Sequence, residues 1–110
     1  MTGTRKVVVL QSAKSDYRKI KSYVTQKFGT EAWLVINDEW QTKINKLAAA
    51  PELGSNISEL DGTGFTELRK YQYKNAYAFY HTSEALLTIY MFIPSMCDFR
   101  RHLMDRLLDA

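Results

Sequence analysis

Basic and aromatic side chains in the C-terminal half of the chain have the chemistry needed to hold and cleave a phosphodiester. Arg69 and Lys70 are adjacent, and Tyr77 and His81 follow them. A second basic group lies near the C-terminus and consists of Arg100, Arg101, His102 and Arg106. Cleavage of RNA without a metal ion needs cations for the phosphate and an acid–base pair for the 2′-hydroxyl and the leaving oxygen. The pattern predicts a cleft that contains Arg69, Tyr77, His81 and Arg101.

The competing interpretation is that these charged residues are solvated, as Arg and Lys on strands and terminal helices usually are. Neither His81 nor His102 has a visible partner in the sequence, so each is also compatible with an exposed polar role. Cys97 is the only cysteine, which excludes an intrachain disulfide, and no activating base stands beside it. The chain has no glycine-rich phosphate loop, metal-ligand cluster or nucleophile elbow, so we expect neither a metal nor a cofactor.

Length and composition favour a small protein that is not embedded in a membrane. The 110 residues, of which 45% are hydrophobic, are expected to form one domain over residues 1–110. The net charge of +3 is compatible with an acidic protein partner or with nucleic acid. Val7 to Leu10 is too short an apolar run for a signal peptide, and no run approaches the roughly 20 residues that span a bilayer. We therefore expect a cytoplasmic protein with no membrane partner.

The strongest strand signal lies between Leu86 and Ile93, where both residue parities are apolar. Such a run is typical of a strand that is covered on both faces. Strict alternation would place Leu87, Ile89, Met91 and Ile93 on one face, with Leu86, Tyr90 and Phe92 on the other. Pro94 removes a backbone donor and is expected to end this strand.

Two helices are predicted before that strand, joined at Gly29. The stripe of the first helix is Ala13, Tyr17, Ile20, Val24 and Phe28, and that of the second is Trp33, Ile36, Trp40, Ile44 and Leu47. Ser12 and Thr30 are the expected N-caps, and Pro51 stops the second helix near Ala50. Because the connection is so short, the helices should form an antiparallel hairpin.

The remaining segments complete the order β-α-α-β-β-β followed by a short C-terminal helix. Lys6 to Gln11 is the predicted first strand, and Glu52 to Gly64 is expected to be irregular. Phe65 to Tyr73 and Ala76 to Thr82 should form a β-hairpin that turns at Lys74-Asn75. Asp98 to Leu108 has helical spacing. The fold class is therefore α+β, with an antiparallel meander packed by the helical hairpin.

The helical hairpin carries more aromatic surface than one small pair of helices needs. These residues are Tyr17, Tyr23, Phe28, Trp33 and Trp40. Burial in the core is one interpretation, and exposure as a groove for a partner peptide is the other.

The order and spacing of several short motifs resemble the RelE/ParE superfamily of toxins from bacterial type II toxin–antitoxin modules. The resemblance extends from about Val7 to Leu108. The motifs are Ser12-Ala13-x-x-Asp16 with Ile20 and Tyr23, Pro51-Glu-Leu-Gly54, Glu67-Leu-Arg69, Tyr80, Ser95-Met96, Asp98 and Arg101-His-Leu103. The resemblance implies a small antiparallel sheet packed by a helical hairpin.

The superfamily divides into ribosome-dependent mRNA endonucleases (RelE-like) and inhibitors of DNA gyrase (ParE-like). The RelE-like branch tends to have an arginine in its middle strand, where this chain reads Ala-Tyr-Ala-Phe-Tyr at 76–80. That branch also has a Lys/Arg pair after the last strand, where this chain has Met96-Cys97. The ParE-like branch usually carries a His before its ending, where this chain has Ile93-Pro94. The tail nevertheless is similar to the ParE-like ending.

The resemblance therefore implies a ParE-like toxin that inhibits gyrase by binding, without catalysis, and that a cognate antitoxin neutralises. Candidate gyrase-binding residues are Arg100, Arg101, His102 and Arg106. Candidate antitoxin-binding residues are Tyr17, Trp33 and Trp40, if they are exposed. The alternative is a RelE-like mRNA endonuclease, whose site would use Arg69, Lys70, Tyr77, His81, Arg101 and His102. A toxin–antitoxin hetero-oligomer is expected in either case.

Overall fold

The computed structural model describes residues 4–57, 68–74 and 76–94. Its strands are β1 (Lys6–Val9), β2 (Ser55–Asn56), β3 (Arg69–Tyr73), β4 (Ala76–Thr82) and β5 (Leu86–Pro94). Its helices are α1 (Gln11–Phe28) and α2 (Thr30–Ala49), and a short 3₁₀ turn covers Pro51–Leu53. The predicted order is confirmed, with β2 as an addition inside a segment that was predicted to be irregular. The predicted C-terminal helix at 98–108 lies outside the described residues.

The helical hairpin is confirmed, but both predicted N-caps are wrong. The helices begin at Gln11 and Thr30, so Leu10 and Gly29 hold the cap positions, without a side-chain cap bond. The Leu10 N–H bonds to the Ile89 carbonyl at 3.2 Å, and its carbonyl accepts from Lys14 N at 2.9 Å. Pairing with β5 therefore defines where α1 starts. Gly29 joins the helices with a φ of 97°, which a residue with a side chain rarely adopts.

The sheet is mixed and has the order β1-β5-β4-β3-β2. The predicted antiparallel meander is confirmed in β3, β4 and β5. β1 pairs in parallel with β5, from Lys6 opposite Leu86 to Val9 opposite Ile89. The helical hairpin is the crossover that a parallel pair requires. Neither α1 nor α2 has the length and apolarity of a membrane-crossing helix.

A β-bulge at Tyr90 overturns the predicted alternation of β5. Phe79 pairs with Met91 and Tyr80 pairs with Ile89, so Tyr90 has no residue opposite it. From Met91 onward, each side chain of β5 therefore lies on the face of the sheet opposite to the one predicted. Leu87 and Ile89 therefore share the helix side with Phe92, whereas Met91 and Ile93 belong to a second cluster with Ile57, Leu68 and Phe79. The strand is buried on both faces, as predicted.

Aromatic packing joins the helices to the sheet. Trp40 is 1% exposed and makes edge contacts with Phe92 and Tyr73, at centroid distances of 5.6 and 5.5 Å. Trp33 is 5% exposed and lies 5.2 Å from Tyr17. The core interpretation is therefore correct for both tryptophans, and neither meets the condition of exposure that was set for an antitoxin contact. Tyr17 is half-buried, and its hydroxyl donates to Asn37 Oδ1 at 2.9 Å. Burial raises the pKa of Tyr17 to about 12.

The turn between β3 and β4 is fastened to α2 by a small polar cluster. Lys74 Nζ lies 3.3 Å from Glu39 Oε1, and Lys74 takes a positive φ of 51° at the turn. The neighbouring Tyr73 hydroxyl and Lys74 ammonium hold the pKa of the Glu39 carboxyl below its usual value. Burial, followed by the interaction with Glu39, raises the pKa of Tyr73 to about 12.

A second polar contact docks α1 on β5. β1 pairs with β5 only as far as Ile89, so the end of β5 extends beyond its neighbour. There the Phe92 N–H donates to Asp16 Oδ2 at 3.2 Å. Because Phe92 is 4% exposed, water cannot readily replace this acceptor.

We predict that Asp16→Ala lowers the free energy of unfolding by about 1–3 kcal/mol, because it leaves a buried N–H without an acceptor. Asp16→Asn should lose less, since its amide oxygen can still accept. Asp38→Ala is the control, because its side chain is exposed on α2, and it should stay within about 0.5 kcal/mol of the parent. Urea unfolding followed by circular dichroism measures all three. Equal losses at Asp16 and Asp38 would contradict this role.

Candidate functional site

Arg69 is held by the segment that follows α2. It pairs with Tyr80 across β3 and β4 and lies on the helix side of the sheet. Its guanidinium donates to the Gly54 carbonyl through Nη2 at 2.6 Å and to Asn56 Oδ1 through Nη1 at 3.0 Å. These are charge-assisted hydrogen bonds to neutral acceptors within the chain. Arg69 is therefore engaged in fastening β2 and the preceding turn to the sheet.

Tyr80 completes this arrangement, which we call the Arg69–Tyr80 anchor (Pro51, Gly54, Asn56, Arg69 and Tyr80). The Tyr80 hydroxyl donates to the Pro51 carbonyl at 2.5 Å, and its side chain is fully buried. Burial raises the pKa of Tyr80. A Cβ at Gly54 would lie 2.7 Å from Tyr80 Cζ and 2.8 Å from the Lys70 carbonyl oxygen. Only a residue without a side chain fits at position 54, which explains the glycine of the Pro51-Glu-Leu-Gly54 motif.

The other predicted site residues lie on the opposite face of the sheet. Lys70, Tyr77 and His81 alternate with Arg69 and Tyr80 along β3 and β4. Lys70 Nζ lies 5.8 Å from the centroid of the Tyr77 ring, which packs near Phe79. The structure therefore brings Lys70 and Tyr77 together but separates Arg69 from Tyr77 and His81. Arg101 and His102 lie outside the described residues.

A different surface surrounds the connection between the helices, and sequence reasoning considered exposure for its aromatic residues but not for its aliphatic ones. Tyr23, Phe28, Leu34 and Val35 are between 41% and 59% exposed, and each lies within six residues of Gly29. We call these four residues the hairpin tip. Phe28 was predicted to continue the buried stripe of α1, but it is exposed because α1 ends there, beyond the sheet contacts of Val24. Leu34 and Val35 lie between Trp33 and Ile36 in the sequence but are not part of the buried stripe of α2. Their apolar side chains outside that stripe were the sequence signal for this exposed surface.

Lys27 covers two rings of the hairpin tip. Its Nζ lies 5.4 Å from the centroid of Tyr23 and 5.7 Å from that of Phe28, and it also donates to the Tyr23 hydroxyl at 3.1 Å. The tip thus combines exposed apolar area with one cation. In the described part of the chain, no group of three His, Cys, Asp or Glu side chains is placed to hold a metal ion.

Comparison with known proteins identifies the family. The family model described as ParE toxin of type II toxin–antitoxin system, parDE, matches residues 7–93. The chain belongs to this ParE toxin family. The ParE match begins at Val7 in β1, ends at Ile93 in β5 and covers both helices. No match was found among curated protein sequences.

A solved structure supports the ParE fold. The chain is similar to a protein in the structure titled "Chromosomal ParDE TA system from P. aeruginosa", with a TM-score of 0.65 and 12% sequence identity. The match covers 83% of this chain and 96% of the other. In the present ParE chain, four residues of the motifs that suggested the family have structural contacts. These are Asp16, Gly54, Arg69 and Tyr80.

Substitutions at neighbouring positions of β3 test whether Arg69 is a structural residue. We predict that Arg69→Ala lowers the free energy of unfolding by about 1.5–3 kcal/mol, since two carbonyl-type acceptors lose a charged donor. Lys70→Ala, on the opposite face, should cost at most about 1 kcal/mol. Chemical denaturation measures both variants. A stability loss at Lys70 that equals or exceeds that at Arg69 would refute the anchor.

Proposed function

We propose that this ParE-family toxin inhibits DNA gyrase by binding it, without catalysing a reaction, and that a cognate antitoxin neutralises it. The observation that carries the proposal is the position of Arg69. Its guanidinium is bonded to Gly54 and Asn56, on the other side of the sheet from Tyr77 and His81. A metal-free nuclease needs its phosphate-binding cation and its acid–base groups in one cleft. That separation favours a binding protein over the rival mRNA endonuclease.

The basic tail is the proposed gyrase-binding segment. Arg100, Arg101, His102 and Arg106 carry three permanent positive charges within seven residues. The argument for this segment comes from the sequence and from its resemblance to the ParE-like ending. Arginine is also among the residues that dominate binding energy at protein interfaces.

We predict that replacing Arg100, Arg101 and Arg106 together by Gln reduces inhibition of purified gyrase at least tenfold, while the melting temperature stays within a few degrees. The measurement is a supercoiling assay titrated with toxin. Lys6→Gln, Lys43→Gln and Lys46→Gln in one chain form a control that removes the same charge from β1 and α2.

A parallel translation assay distinguishes gyrase inhibition from the rival function, mRNA cleavage. The gyrase proposal expects intact mRNA on ribosomes. Cleaved mRNA with unaffected gyrase, and loss of cleavage in His81→Ala, would instead establish the endonuclease. A chain that affects neither target would have another target or would only bind its antitoxin, and the gyrase proposal would then be wrong.

The hairpin tip is the proposed antitoxin-docking surface. Its four exposed apolar residues could bury their area only against another molecule, and burying apolar area is the main source of binding energy. Lys27 at the tip favours an acidic segment, which would be partly disordered until bound. Of the residues first chosen from the sequence, only Tyr17 is partly accessible and remains a candidate contact. Trp33 and Trp40 would support the surface from within.

We predict that Phe28→Gln together with Val35→Gln weakens antitoxin binding at least tenfold, because two apolar contacts are lost. Both side chains are more than half exposed, so the fold should be retained. Leu53→Gln is the matched control, since Leu53 is 55% exposed but lies in the 3₁₀ turn, away from the tip. Isothermal titration calorimetry gives the dissociation constants. Equal affinity of the double variant and the control for the antitoxin would exclude the hairpin tip as the antitoxin-docking surface.

A further inference from the structure

The solvent face of α1 carries a row of cations that the fold does not use. Lys14, Arg18 and Lys21 are spaced by four and three residues, so they lie above one another on the same side of the helix. All three side chains are exposed. The single acidic residue of α1, Asp16, points toward the sheet and accepts the Phe92 N–H. The row therefore has no acid on its own helix to neutralise it.

A groove runs along the same side of the helix, with a volume of about 430 Å³. Its lining consists of Ser15, Arg18, Lys19, Ser22, Tyr23 and Gln26. Every one of these side chains can donate a hydrogen bond. Of the row, Arg18 lines the groove, whereas Lys14 and Lys21 lie about 40° and 60° from Arg18 around the helix, on the side away from the groove. A set of hydrogen-bond donors that includes the cations Arg18 and Lys19 is suited to an anion with many oxygens.

The chemistry of this face distinguishes between classes of partner. Protein interfaces have apolar, aromatic centres from which charged residues are depleted, whereas interfaces with DNA are more polar and much more positive. The row itself consists of three exposed cations and contains no apolar side chain. Binding of single-stranded nucleic acid relies on aromatic side chains on which bases stack, and the row of Lys14, Arg18 and Lys21 offers none. A duplex phosphate backbone fits best.

We propose that the outer face of α1 binds the phosphate backbone of duplex DNA. The choice of DNA rests on the proposed gyrase target, since gyrase holds duplex DNA while it acts. The row from Lys14 to Lys21 spans about 10 Å along the helix, enough to contact successive phosphates of one strand. Contacts to phosphate alone carry no sequence information, so the binding is independent of sequence. It also gives the toxin a second contact within a gyrase–DNA complex.

The test measures DNA binding by the toxin alone. A short fluorescein-labelled duplex is titrated with the full chain, and anisotropy is followed over a series of NaCl concentrations. We compare Lys14→Gln with Lys21→Gln in one chain against the control Lys6→Gln with Lys46→Gln. Both variants remove two exposed lysines and the same net charge. Melting temperatures confirm that both are folded, and Arg18→Gln alone is the substitute if the double variant is not.

Binding by the parent chain that weakens at least fivefold in the α1 variant and less than twofold in the control supports the proposal. The slope of log K against log[salt] should also fall by about 1.8, or about 0.9 for each lost phosphate contact. Equal weakening in both variants would show a general effect of net charge, and absence of binding by the parent would overturn the proposal. Tighter binding of a single-stranded RNA probe would also overturn it. Gyrase is not present in this assay. A failure to bind DNA would therefore overturn this proposal alone, and the supercoiling assay would still decide whether the toxin inhibits gyrase.

Discussion

The bulge at Tyr90 is the constraint on which the rest of the structure depends. An extra residue in β5 turns Phe92 toward the helices and Met91 and Ile93 toward the opposite face, so one strand serves two hydrophobic clusters. The same shift directs the Phe92 N–H away from the meander, past the end of β1, where none of the described strands lies opposite it. Asp16 supplies the acceptor and thereby fixes α1 against β5. A carboxylate on a helix thus replaces a missing strand partner, because a buried N–H cannot be left unpaired.

This docking determines which surfaces α1 and α2 present to solvent. With Ala13, Val24 and Trp40 buried against the sheet, Lys14, Arg18 and Lys21 must face water. The helices are also longer than the sheet contact requires, so their joined ends carry Phe28, Leu34 and Val35 into solvent. The hairpin therefore presents one basic face and one apolar end.

Sequence patterns predicted those parts of the fold that depend on local periodicity. The helical hairpin follows from its two apolar stripes, and the end of α2 at Ala49 follows from Pro51. The strand Ala76–Thr82 follows from its aromatic residues. The face exchange at Tyr90 was missed, because a bulge depends on pairing between strands and leaves no mark in a run that is apolar on both parities. The caps were missed because tertiary pairing at Leu10 outweighed the hydroxyl of Ser12. Arg69 had the right chemistry for a phosphate site, but its partners Gly54 and Asn56 are thirteen to fifteen residues away.

The anchor gives a structural role to an arginine and a tyrosine that lie on neighbouring strands of this ParE fold. Arg69, through Nη1 and Nη2, and Tyr80, through its hydroxyl, donate to backbone and amide oxygens between Pro51 and Asn56. The two surfaces proposed here on the hairpin differ physically. Phosphate binding by the α1 row weakens steeply with salt through counterion release. Apolar docking at the tip is far less sensitive to salt, because its energy comes from removing area from water. Ionic strength therefore separates the two interactions on one small hairpin.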